Sequence, residues 1–154
     1  MWVISYYKTY TSNAVDIDTY LGFDVGTKRT GVAIANSLTN TANGIQVVTN
    51  NKDGSIDFEQ YDKIVKAHNV RLFVVGLPLG KDGEKQEMSF IAQSFGRKLT
   101  DRYSVETVFI DEHLSSFEAK KQLKYCHYHP NAKRGEVDKR SAALILQTWI
   151  EENL

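Results

Sequence analysis

The chain predicts an α/β fold: a mixed five-stranded sheet, made of an antiparallel three-strand meander plus two parallel strands, with helices on its faces. Three observations predict it. Strand-like runs joined by turn residues fill the segment from Tyr20 to Thr49, and from Asp57 onward helical spacing alternates with short, wholly apolar runs. The chain has 154 residues, 42% hydrophobic and 25% charged, which suits one soluble domain with its own core.

Residues 1–19 show neither clear periodicity nor capping signals and read as an N-terminal extension to a single domain over 20–154. Tyr20 to Val25 is the first strand, Gly31 to Asn36 its hairpin partner and Gly44 to Thr49 the third. Gly26 and Gly31 are expected to supply the backbone freedom of the first turn. Asp57 to His68 places Phe58, Tyr61, Ile64 and Val65 at helical spacing. Leu72 to Gly76 is short and entirely apolar, as a buried parallel strand must be.

The turn-rich loop Gly76 to Gly83 leads to an amphipathic helix from Glu84 to Tyr103, with Met88, Ile91, Phe95 and Leu99 on one stripe. Val105 to Ile110 is the fifth strand. Ser115 and Glu118 fit a capping box for a helix to about Lys124, and Tyr125 to Glu136, with Pro130, Asn131 and Gly135, predicts a loop. Asp138 is then placed as N-cap of a last helix whose face is Ala142, Ile145, Leu146, Trp149 and Ile150.

In open sheets with parallel strands, ligands collect beyond the carboxyl ends of those strands. The first strand ends near Asp24, the fourth at Gly76 and the fifth at Asp111-Glu112, so these ends border one crevice. If Asp24, Glu112 and Asp138 share it, three carboxylates repel one another until a hard cation such as Mg2+ neutralises them. Two such ions about 4 Å apart activate a water and stabilise the oxygen leaving a phosphodiester. Each residue also has a plain role, Asp24 as a turn residue, Asp111-Glu112 as solvated charge and Asp138 as a helix cap; their convergence is what favours catalysis.

Thr27, Lys28 and Arg29, in the Gly-bracketed hairpin after Asp24, and Lys81, in the glycine-rich loop, are candidate phosphate contacts. So are Lys120, Lys121, Lys124, Lys133 and Arg134, a basic stretch without an acidic residue, interleaved with Tyr125, His127, Tyr128 and His129. A solvated face accounts for the same cations. With 19 basic and 19 acidic residues the net charge is zero, so nucleic-acid binding must rely on such segregation.

Cys126, His127 and His129 lack the second ligand pair of a zinc finger, and there is no Gly-x-Ser-x-Gly elbow or Walker loop. The lone cysteine fits a reducing compartment. The absence of a cationic, apolar leader, or of a run near the ~18 apolar residues of a membrane helix, predicts a cytoplasmic protein without membrane contact.

Four segments together resemble the YqgF/RuvX family, RuvC-like proteins of the ribonuclease H-like superfamily. They are Leu21-Gly22-Phe23-Asp24-Val25-Gly26-Thr27-Lys28-Arg29-Thr30-Gly31-Val32-Ala33; Val74 to Leu79 with Asp82-Gly83; Asp111-Glu112-His113-Leu114-Ser115-Ser116 with Glu118-Ala119; and Val137-Asp138 with Ala142 to Gln147. The resemblance implies a ribonuclease H-like fold and a nuclease using Mg2+ or Mn2+ in a two-metal site on Asp24, Glu112 and Asp138. It implies maturation of the 5′ end of pre-16S rRNA, with structured RNA or a pre-ribosomal particle as partner. Resolution of branched, four-way DNA and a non-catalytic ribosome-assembly module are the alternatives, as monomer or homodimer. An actin-like phosphotransferase shares the Asp-x-Gly-Thr hairpin, but this chain has length for one lobe only. Where the family usually has Asp-Glu-Arg, this chain has Asp111-Glu112-His113, and a histidine lacks the guanidinium's permanent charge and fork of donors.

Overall fold

The computed structural model describes residues 16–112 and 134–154. The strands are β1 (Thr19–Val25), β2 (Arg29–Asn36), β3 (Asn43–Thr49), β4 (Val70–Leu77) and β5 (Glu106–Asp111), in sheet order β3-β2-β1-β4-β5. β1, β2 and β3 pair antiparallel, and β4 lies parallel to both β1 and β5. The described helices are α1 (Phe58–Ala67), α2 (Glu87–Tyr103) and α3 (Arg134–Asn153). The helix expected from Ser115 to Lys124 lies outside the described residues, as do Cys126, His127 and His129.

Side-chain alternation along the central strands creates two cores, one on each face. Leu21, Phe23, Phe73 and Val75 pack with Tyr61 and Ile64 of α1 and Ala92, Phe95 and Leu99 of α2. Tyr20, Leu72 and Val74 point the other way, onto Ala142, Ile145, Leu146 and Ile150 of α3. Burial on both faces is why β4 reads as an unbroken apolar run.

Helix α2 begins at Glu87, a turn later than Glu84. Gln86 caps it reciprocally with Ser89, while the Glu84 side chain turns back and accepts the Asp82 N–H at 2.9 Å. The buried Ser89 hydroxyl also donates to the Pro78 carbonyl, tying the start of α2 to the loop after β4. At the other end Ser104, in the left-handed region at φ 55°, closes the helix with its N–H on the Thr100 carbonyl.

Two expectations are corrected. The last helix starts by Arg134, so Arg134, Gly135 and Glu136 are helical and Asp138 lies inside α3 rather than at its N-cap. Gly26 does serve the first turn, where its N–H donates to the Arg29 carbonyl at 3.0 Å and a Cβ would stand 2.5 Å from that oxygen, but Gly31 lies within β2. Gly31 serves close approach instead. A Cβ there would stand 2.0 Å from the Asp138 carbonyl oxygen, so glycine lets the α3 backbone rest directly on β2.

Candidate active site

Asp24 follows Tyr20 and Gly22 on the β1 face covered by α3, and its register partner across the hairpin is Gly31. On α3, residues three and four apart share a face, so Asp138, Ser141, Ala142, Ile145 and Leu146 line up toward the sheet. The contacts agree: Gly31 meets the Asp138 backbone, Gly22 meets Leu146 and Gly76 meets Ile145. Close packing of α3 on β1 and β2 therefore sets the Asp138 carboxylate beside Asp24.

The electrostatics register that placement. The half-buried Asp24 carboxyl is pushed up to about 6, first by burial and then by the negative charge of Asp138, while a hydrogen bond from Ser141 opposes the rise. Asp138 in turn accepts a 2.6 Å bond from Arg29 Nε, with both side chains partly buried. Arg29 opens β2, so the hairpin that follows Asp24 returns a guanidinium to the same place. At Asp138, more than a turn into α3, the helix dipole contributes little to the carboxylate, because that effect falls off within the first turn. Arg29 is its close cationic partner.

Glu112 follows β5 at the neighbouring strand end. Its Oε1 reaches over Gly76, where a Cβ would stand 2.7 Å from it and 2.5 Å from Ile145 Cδ1. The parallel ends of β1, β4 and β5 thus bring Asp24, Gly76 and Glu112 to one end of the sheet, with α3 across them. Among the described residues, no three His, Cys, Asp or Glu side chains stand close enough together to hold a metal ion. Asp24 and Asp138 are brought together; Glu112 borders the same end without closing onto them.

Of the candidate phosphate contacts, Thr27 and Lys28 are exposed at the hairpin tip, and Lys81 is exposed in the loop before α2. The tip is braced by Asn50, whose N–H donates to the Lys28 carbonyl at 2.8 Å and whose side-chain amide donates to the Thr27 carbonyl at 3.1 Å. Arg134 is the first residue of α3. Lys120, Lys121, Lys124 and Lys133 lie outside the described residues, as does His113. Ser141 is a site residue that sequence reasoning missed. Its signal was present, because position i+3 from Asp138 falls on the same helix face.

The family described as RuvX, Holliday junction resolvase, matches residues 18–152. A relative from Aeromonas hydrophila subsp. hydrophila, named "Putative pre-16S rRNA nuclease", is 40% identical over 132 residues, covering 86% of this chain and 94% of its own. A relative of the same name from Coxiella burnetii is 36% identical over 133 residues, covering 86% and 92%. Two solved structures share the fold at 11% identity. RuvC from T. thermophilus in complex with a Holliday junction substrate has a TM-score of 0.50 and covers 88% of this chain and 96% of its own. Thermus thermophilus RuvC has a TM-score of 0.51 and covers 87% and 96%.

Proposed function

The chain belongs to the RuvX family, and from that premise we propose that it is a divalent-metal-dependent endonuclease that processes the 5′ end of pre-16S rRNA in ribosome biogenesis, in the cytoplasm. The observation that carries this reading is the half-buried pair Asp24 and Asp138, held side by side by α3, with Glu112 two strands away at the same end of the sheet.

The donor set fits a hard divalent ion. Its candidate ligands are all carboxylates, and the repulsion that raises Asp24 is what a cation relieves. Asp24, Asp138 and Glu112 would hold Mg2+ or Mn2+. When bound, the metal supplies an activated water and charge stabilisation at the leaving oxygen.

The other tasks fall to this chain's own side chains. Ser141 donates to Asp24 and favours its ionised, ligating form. Arg29 fixes Asp138 and, lying beside the acidic pair, offers its remaining guanidinium donors to a phosphate oxygen. Thr27 and Lys28 at the exposed tip contact the nucleic-acid backbone and set its position without reading sequence. Lys81 and the basic stretch Lys120, Lys121, Lys124, Lys133 and Arg134 extend the same task.

Cleavage of four-way DNA is the second reading, favoured by the family description and by the fold shared with RuvC. One experiment separates the two: precursor 16S rRNA and a synthetic four-way junction are offered to wild type and Asp24→Asn with Mg2+, Mn2+ or EDTA. Metal-dependent cutting of the rRNA precursor that Asp24→Asn abolishes supports the proposal. Cutting of the junction alone supports the resolvase, and cutting of neither refutes both.

A further inference from the structure

Alternation along β1 has a second consequence: Asp24 faces α3 while Val25 faces the other side, where a groove of about 440 Å³ opens between the β1–β2 hairpin and α2. Its walls include Gly26 and Thr27 of the hairpin, Asn50 after β3, and Phe90, Ser94 and Lys98 of α2. Phe90 is 56% exposed, although it belongs to a helix whose other phenylalanine, Phe95, is buried. The Lys85 ammonium lies 5.8 Å from the centre of the Phe90 ring. Among the described residues, no carboxylate lines the groove.

We propose that this groove seats an unpaired nucleotide flanking the scissile phosphate, its base stacked on Phe90 and its phosphates met by Lys98 and Lys85. The proposal rests on the nuclease reading and adds a substrate feature to it, a single-stranded segment next to the cut. An open aromatic face accepts any base, and neighbouring cations favour the backbone that carries it. The hydroxyls of Thr27 and Ser94 and the amide of Asn50 match the hydrogen-bonding edges of a base or sugar. The volume is that of a small-ligand site, too small for a duplex. The groove begins at Val25 and Gly26, directly after Asp24, so it lies at the same end of the sheet as the acidic pair, on the opposite face. A protein partner would also use Phe90, but a described lining without carboxylates, with Lys98 in it and Lys85 beside the Phe90 ring, next to a phosphate-handling site, suits nucleic acid.

The test measures affinity of the full chain in EDTA, where no metal-dependent cutting occurs, for two RNA duplexes that differ only in a single-stranded overhang. Wild type should bind the overhang form more tightly than the blunt one. Phe90→Ala should lose about ten-fold on the overhang form and nothing on the blunt form, and Phe90→Trp should keep the preference. Lys98→Ala should weaken overhang binding and flatten its salt dependence. Thermal unfolding of each variant checks that the fold is kept, as expected for an exposed side chain. Wild type that binds both duplexes equally, or Phe90→Ala that matches wild type or loses equally on both, overturns this inference and leaves the nuclease reading standing. Wild type that binds neither also overturns this inference, while the nuclease reading is judged separately by metal-dependent cleavage.

Discussion

Replacing Asp24 by asparagine should stabilise the metal-free protein while abolishing its activity. The carboxyl titrates near 6, roughly two pH units above an ordinary aspartate, and each unit corresponds to about 1.4 kcal/mol between the two protonation states. Holding Asp24 ionised at pH 8 therefore costs the metal-free fold ~3 kcal/mol, a large share of a typical domain's stability. Between about pH 4 and 6 the folded state binds a proton at Asp24 that the unfolded chain has released. Stability from this group is thus present at low pH, falls as pH rises through that window, and is flat above the folded pKa. Asparagine has a similar shape and does not titrate. Urea unfolding in EDTA should show Asp24→Asn more stable than wild type by only about 1 kcal/mol at pH 4.5, and by about 3 kcal/mol at pH 8. Other groups titrate in both proteins, so the difference between the two curves is what counts. Added Mn2+ should then narrow the gap by stabilising wild type alone. A variant less stable than wild type at pH 8, or a difference that does not change with pH, would refute the electrostatic account of Asp24.

Ser141→Ala removes the hydrogen bond that opposes the rise at Asp24, so the acid limb of the pH–rate profile should move to higher pH, with kcat recovering at alkaline pH; an unmoved limb assigns Ser141 no positioning role. Gly31→Ala inserts a methyl group where the Asp138 carbonyl already stands. It should cost about 1–3 kcal/mol in urea unfolding and suppress cleavage by displacing α3, and a stable, active variant would contradict the packing argument. Arg29→Gln leaves Asp138 beside Asp24 without its cation. At pH 8 in EDTA it should lower stability by about 1 kcal/mol and weaken RNA binding evenly across sequences; sequence-dependent weakening would point to base contact instead.

The sheet was legible because its determinants are local. The apolar runs at Leu21–Phe23 and Leu72–Val75 require cover on both faces, and the hairpin signals at Gly26 to Gly31 fix the meander. Asp24 could be singled out because a strand end in such a sheet has a known direction. The start of α3 was not legible: Pro130, Asn131 and Gly135 are turn formers by propensity, yet glycine is tolerated inside a helix whose face is buried on a sheet. That error put Asp138 at a cap and hid its ion pair with Arg29, a contact 109 residues apart in sequence. Gly31 reads as a turn residue for a similar reason, since close approach of a distant helix leaves no local trace. Phe90 lies off the apolar stripe of α2, which leaves it exposed and gives it no periodic signal in the sequence.

We propose that Asp24, Glu112 and Asp138 form a metal-dependent nuclease site acting on pre-16S rRNA. Its most direct test is cleavage at the 5′ end of a 16S precursor by wild type and Asp138→Asn, each with Mg2+, Mn2+ or EDTA. Wild type should cut with metal and not in EDTA, and the variant should lose at least about 100-fold, because a ligand worth several kcal/mol in the transition state is gone. Cutting that survives EDTA, or an Asp138→Asn enzyme as fast as wild type, would contradict it.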